Sequence, residues 1–287
     1  MIPYSELCFV NKSYIKDLYF SKNLYSSFER FFQGDNKFYI CVPEKDLENF
    51  RMEFQILKSE KIIDKIPEFI TDENVIFSAG ENIQDFYQTP GHHQQQVIKL
   101  GLSYFLKKDY VTFDSDIEFI KNFDPSYFYD GEILKTIFHI SYYMYKDLFS
   151  PVYDFFGISE EDEDFNNYYI DSYGIWNHKI VKELSEYIKT KVIKNFIELI
   201  KLSPFEKQWY GTFVYKNYRE KFKPILPFVG AINCFKGEYT VYKTAKEIEI
   251  EYRKLLESNS FNSICMNYHT QFRLNKTIQD YLRETLD

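Results

Sequence analysis

The stretch "YVTFDSDIEFI", residues 110–120, decides how the chain is read. An apolar run ends in two aspartates one residue apart, and a third acid follows two positions on. Alternation puts Val111, Phe113, Ser115, Ile117 and Phe119 on one face of a strand and Asp114, Asp116 and Glu118 on the other. Like charges at i, i+2 repel, so a plain strand edge leaves the acids unexplained. A divalent cation would explain them. Mg²⁺ takes oxygen ligands, commonly one or two carboxylates completed by substrate phosphates. A lone D-x-D is short and degenerate, so its meaning rests on its surroundings.

Upstream, strand-like and helix-like patterns alternate. "ELCFV" and "KFYICV" read as strands. Between them lies a helix with apolar Leu24, Phe28, Phe31 and Phe32. Pro43 closes the second strand before a helical start, "EKDLENF". "FQILKS" and "NVIFSAG" read as two further strands, and "HHQQQVIKLGLSYFL" as a helix carrying Val97, Leu100, Tyr104 and Phe105. This alternation predicts an α/β fold with a mostly parallel central sheet. In such sheets ligands sit beyond the carboxyl ends of the strands, which is where the two aspartates fall.

Downstream the pattern is more helical. "GEILKTIFHI" reads as a strand beside the aspartate strand, and 157–174 as an acidic loop. One long helix is expected through Ile180, Leu184, Tyr187, Ile188, Val192, Phe196 and Leu199, then a strand at "TFVYKNY". A helix over 244–257 precedes a strand-like run ending near His269. With no repeat or linker, 1–287 reads as one domain, with a regularly alternating part over 1–120 and a more helical part over 121–287.

The net charge of −8 argues against a nucleic-acid partner, which needs a basic footprint. No apolar run reaches the ~20 residues that span a bilayer, and the N-terminus carries no signal-peptide pattern. The four cysteines are scattered, so reduced buried thiols in a cytoplasmic protein are expected. The many Tyr and Phe fit the codon bias of an AT-rich genome.

The apolar strand feeding "FDSD", with "GHHQQQVIKL" before it, resembles the GT-A glycosyltransferases. More narrowly it is similar to bacterial enzymes that build capsular and lipopolysaccharide glycans, in which a "GW-x-RQQ-x-x-KL"-like segment precedes "LDSD". A later "SEYELYG"-like segment of that family matches "FEKQWYG" at 205–211. Glu206, Tyr210 and Gly211 fit, while Gln208 stands where the pattern has a second glutamate.

The resemblance implies a GT-A (Rossmann-like) nucleotide-sugar-binding fold and a metal-dependent transferase of the hexosyltransferase type. The donor would be a nucleotide-sugar, the acceptor a glycan or lipid-linked glycan, and the cofactor Mn²⁺ or Mg²⁺. Asp114 and Asp116 would hold the metal and donor, with Ser115 between them. Gln95 and Gln96 would lie near the donor sugar, and Asn11 and Ser13 would meet the nucleoside. Glu206 is the candidate general base, Trp176, His178 and Tyr210 face the acceptor, and His269 is a candidate third metal ligand. The protein would be cytoplasmic, with at most peripheral contact at the inner face of the membrane. A phosphohydrolase using D-x-D as nucleophile is the competing enzyme reading, and a non-catalytic metal- or nucleotide-binding protein is the other.

Overall fold

The computed structural model describes residues 3–140, 146–162, 165, 167–225, 230–232 and 265–268. Four strands, β1 (Cys8–Lys12), β2 (Phe38–Val42), β3 (Glu68–Thr71) and β4 (Tyr110–Phe113), run parallel. Two-residue pairings follow: β6 (Tyr129–Asp130) with β7 (Ile133–Leu134), β8 (Thr136–Ile137) with β12 (Pro224–Ile225), and β9 (His139–Ile140) with β10 (Asn167–Tyr168). The fifth strand of the main sheet is β11 (Tyr173–Trp176), antiparallel to β4, giving the order β11-β4-β1-β2-β3. A second sheet joins β5 (Ile117–Phe119), β13 (Gly230–Ile232) and β14 (Cys265–Tyr268).

Both faces of the main sheet are covered, which is why every residue of β1 and β4 is buried. One core draws Phe9, Val111 and Phe113 onto Leu24 and Phe28 of α1 (Leu18–Phe31) and Phe50 and Phe54 of α2 (Leu47–Ser59). Its rings pack at close range, with Phe28 and Phe38 centroids 4.6 Å apart. The opposite core sets Val10 and Tyr110 against α3 (Asp72–Ala79), α5 (Gly91–Leu106), α7 (His178–Thr190), α8 (Phe196–Leu202) and α9 (Glu206–Asn217). The short α4 (Ile83–Tyr87) leads into α5, and α6 (Lys146–Phe156) packs its Phe149, Val152 and Tyr153 into the same core. Each core therefore takes residues from before and after position 120.

The expected α/β fold with a mostly parallel sheet is the observed one, and several elements differ. "FQILKS" completes α2 and "NVIFSA" lies in α3, so β3 is "EFIT" at 68–71. The expected long helix is two helices: Val192 is left-handed (φ 68°) and 86% exposed, and Asn195 caps α8 through Glu198 N–H at 2.9 Å. "TFVYKN" lies within α9 and Tyr218 caps it; residues 206–214 of the helix are all buried, leaving no polar face to mark the helical period. Gly211 is required there, because a Cβ would come within 2.1 Å of the Tyr169 ring. "GEILKTIFHI" breaks into β7, β8 and β9, none paired with β4. The 244–257 helix lies outside the described residues. Cys8 and Cys41 are free and buried as expected, and Cys234 lies outside the described residues.

Candidate functional site

The sequence "DSD" ends β4 rather than continuing it. After Phe113 the Asp114 N–H donates to Ser172 O at 2.9 Å, and the chain turns before β5 starts in the second sheet. The expected single strand with three acids on one face is thus replaced by a turn at the carboxyl end of β4.

Two environments meet at this turn. On the inner side Ser115 Oγ donates to Ser13 Oγ (3.1 Å) and accepts from Asn11 Nδ2 (3.1 Å), and Ser21 Oγ donates to Ser13 Oγ (2.6 Å). All four are buried, with Asn11 also tied to Phe113 O. Asn11, Ser13 and Ser115, expected to touch the donor, lie beneath the turn and fix its shape. Asp116 is buried at 9% exposure.

On the outer side stands Asp114, its side chain 36% exposed. Lys99 Nζ lies 2.7 Å from its Oδ1, and Lys207 Nζ 3.7 Å from its Oδ2. Glu206 Oε1 faces Lys99 at 3.4 Å, and Lys207 also donates to the Asp171 carbonyl. Lys99, Glu206 and Lys207 are each at most 6% exposed along the side chain. Burial alone would raise the Asp114 pKa, but the Lys207 and Lys99 ammoniums outweigh it and hold the carboxyl below its ordinary range. Desolvation works against charge on Lys99, but Asp114 and Glu206 more than reverse it, raising its pKa. Lys207 differs: desolvation dominates, Lys99 repels it, and its pKa falls despite Asp114.

Helix α5 carries Lys99 and, one turn earlier on the same face, Gln95 and Gln96. Gln96 Oε1 is buried with no hydrogen-bond partner among the described residues. Gln95, Gln96, Asp114, Asp116 and Glu206 are thus brought to one end of the sheet. Lys99 and Lys207 went unnoticed in the sequence because lysines usually lie on the surface, and their partner is set by tertiary packing. A second buried pair stands nearby at the ends of β1 and β3, with Lys12 Nζ 3.0 Å from Asp72 Oδ1 and Cys41 Sγ donating to the same oxygen.

Three expected acceptor residues are elsewhere. Trp176 is fully buried, its indole N–H donating to Thr112 Oγ1 at 2.9 Å, so it offers no stacking face. Tyr210 packs on that indole and its hydroxyl accepts Asn177 N–H at 2.9 Å. His178 opens α7 at the other end of β4, with Nδ1 2.9 Å from Asp109 Oδ1. Asp114 lies five positions beyond Asp109, roughly 16 Å at about 3.3 Å per strand residue. Glu206 is buried against Lys99, which places it to hold that lysine rather than to meet an acceptor hydroxyl.

A cation can be judged by the donors present. Asp114 and Asp116 are carboxylates of the kind that would hold Mn²⁺ or Mg²⁺ if substrate phosphates completed the shell. Among the described residues no group of three or more His, Cys, Asp or Glu side chains converges. His269 lies outside the described residues.

Among solved structures, the apo bifunctional glycosyltransferase WbbM has 11% identity over 91% of this chain, with a TM-score of 0.50. This chain spans 45% of that one. The apo mouse xyloside xylosyltransferase 1 has 9% identity over 92% of this chain and 98% of its own, with a TM-score of 0.49. The fold is therefore of the glycosyltransferase type, α/β with a mostly parallel central sheet. No curated protein matches the sequence. Residues 6–272 match the family of unknown function DUF6492, and the chain belongs to that family.

Proposed function

We propose that the protein is a glycosyltransferase that moves a sugar from a nucleotide-diphosphate sugar to a glycan or lipid-linked acceptor, in surface-polysaccharide synthesis. The observation that carries this is the partly exposed Asp114, at the carboxyl end of a central parallel strand, flanked by two buried lysines and followed by Asp116.

In such a transfer the bond from the anomeric carbon to the diphosphate oxygen breaks, and its electron pair leaves on that oxygen. The acceptor oxygen bonds to the same carbon and its proton passes to solvent water. Negative charge therefore grows on the diphosphate, and fixed positive groups there lower the barrier. Lys99 and Lys207 are such groups, held in place before any substrate arrives by Asp114, Glu206 and the Asp171 carbonyl. Mn²⁺ or Mg²⁺ held by Asp114 and Asp116 would add Lewis-acid charge at the same oxygens. Gln95 and Gln96 point the amide-bearing face of α5 to this end of the sheet, where the sugar would lie. The buried hydroxyl network under Ser115 keeps the turn from shifting as charge moves above it.

Among the described residues no helix is long and apolar enough to cross a membrane. Work on the cytoplasmic side, with at most peripheral membrane contact, belongs to this proposal.

The test is turnover of a nucleotide-sugar panel with and without Mn²⁺, read as released nucleoside diphosphate. One donor is expected to turn over with the cation present, and Asp114→Asn to stop it. Hydrolysis of phosphate monoesters with no nucleotide-sugar turnover would favour the phosphohydrolase reading. Nucleotide binding without any turnover would favour a binding protein.

A further inference from the structure

The geometry points to an ion exchange built around Asp114, in which Lys207 yields the carboxylate to a divalent cation and takes an anionic diphosphate in its place. This rests on the transferase reading above and concerns a residue that neither the family match nor the structural relatives single out.

The group holds two buried ammoniums, Lys99 and Lys207, the buried carboxylate of Glu206 and the partly exposed carboxylate of Asp114. It is neutral as it stands. The two lysines do not hold Asp114 equally. Lys99 makes a charge-assisted hydrogen bond at 2.7 Å, whereas Lys207 is 3.7 Å away, an ion pair beyond hydrogen-bond length. Lys207 donates instead to the Asp171 carbonyl. Its ammonium has three N–H donors, so it retains capacity for another acceptor.

Removing Asp114 from this set has a defined electrostatic consequence. If a cation engages the carboxylate, Lys99 and Lys207 are left buried with Glu206 as the remaining counter-charge. Uncompensated buried charge is costly. A diphosphate arriving beside the turn supplies the missing negative charge, with oxygens to fill the Lys207 donors. Without the cation, the same diphosphate would face the carboxylates of Asp114 and Asp116. Each ligand therefore makes room for the other, and such coupling is reciprocal. The loop 171–172 ties both partners together: Asp171 O holds Lys207, and Ser172 O holds the Asp114 N–H. Movement of either side chain is felt by the other through one stretch of backbone.

Calorimetry on the full chain tests this with Mn²⁺ alone, a panel of nucleoside diphosphates alone, and both together. In the natural protein each ligand is expected to tighten the other about tenfold, within the 5–150-fold usual for coupled sites. Lys207→Met should bind Mn²⁺ alone several-fold more tightly, because Asp114 is less held, bind the diphosphate more weakly, and lose most of the coupling. Lys207→Arg should keep it. Independent binding of the two ligands in the natural protein would overturn the exchange, as would unchanged affinities in Lys207→Met. If no nucleoside diphosphate binds the natural protein under any condition, the transferase reading fails as well. Thermal unfolding checks the fold of Lys207→Met. Should it not fold, the natural protein and Lys207→Arg decide the question.

Discussion

The two ends of strand β4 each present an aspartate, and they are built on opposite principles. At the amino end Asp109 accepts from His178 N (3.0 Å), His178 Nδ1 (2.9 Å) and Asn177 Nδ2 (3.3 Å). These donors come from the first residues of α7 and the residue that caps it, so Asp109 fastens the β11–α7 junction to the sheet. At the carboxyl end Asp114 receives no capping side-chain amide or imidazole among the described residues. It faces two buried ammoniums, one of which it does not reach at hydrogen-bond length. The first arrangement is satisfied and closed. The second concentrates charge at a place that stays partly open, the kind of arrangement that perturbed ionisable groups mark as a functional site.

Breaking the carboxyl end should have the largest effect. Asp114→Asn and Asp116→Asn are each expected to cost transfer activity about 10²–10³-fold or more, with the far-ultraviolet dichroism unchanged. Loss of the fold instead would move these residues to a structural role. Glu206→Gln sharpens the same end: with Lys99 still paired to Asp114, kcat should fall by less than about tenfold. A fall in the 10²–10⁴-fold range of a general base would show that Glu206 reaches the acceptor after all.

Stability should respond to Lys99→Met, which removes the ammonium facing the buried Glu206 carboxylate. About 3–5 kcal/mol is expected from denaturant unfolding, the usual result of removing one partner of a buried pair. At the amino end, Asp109→Ala should cost about 1–3 kcal/mol for its lost hydrogen bonds and leave turnover largely intact. Equal loss of activity at both ends would erase the distinction drawn here.

The smallest effect is one of pH. Asp114 has a folded pKa below its unfolded value, with burial opposing and Lys207 and Lys99 prevailing. Its contribution to stability is therefore fully present above the ordinary Asp value of about 3.9 and is lost as pH falls through the folded value. Acid unfolding of Asp114→Asn should lack that component, seen as a shallower decline in stability below about pH 4.

How much of this could be read from residues alone also divides along the strand. Strands β1 and β2 and helix α5 were legible because their apolar patterns are strong, with Pro43 closing β2 and Pro90 and Gly91 opening α5. Helix α9 was not, since a helix buried on every side shows no polar face, and "TFVYKNY" has the β-branched and aromatic content of a strand. "FQILKS" was misleading for a related reason: Phe54, Ile56 and Leu57 crowd the end of α2, though Ile56 is exposed there. In the site, the carboxylates announced themselves by spacing, whereas Lys99 and Lys207 come from two helices more than a hundred residues apart. The family resemblance alone puts Trp176 and His178 on the acceptor side. The antiparallel run of β11 takes them away from Asp114 instead, with Trp176 opposite Tyr110 and Tyr173 opposite Phe113.

The most direct measurement is a crystal soaked with Mn²⁺ and the tightest-binding nucleoside diphosphate. The account predicts the cation on Asp114 and Asp116, and diphosphate oxygens against Lys99 and Lys207. A nucleotide bound at the amino end beside Asp109 and His178, with Asp114 still on both lysines, would contradict it.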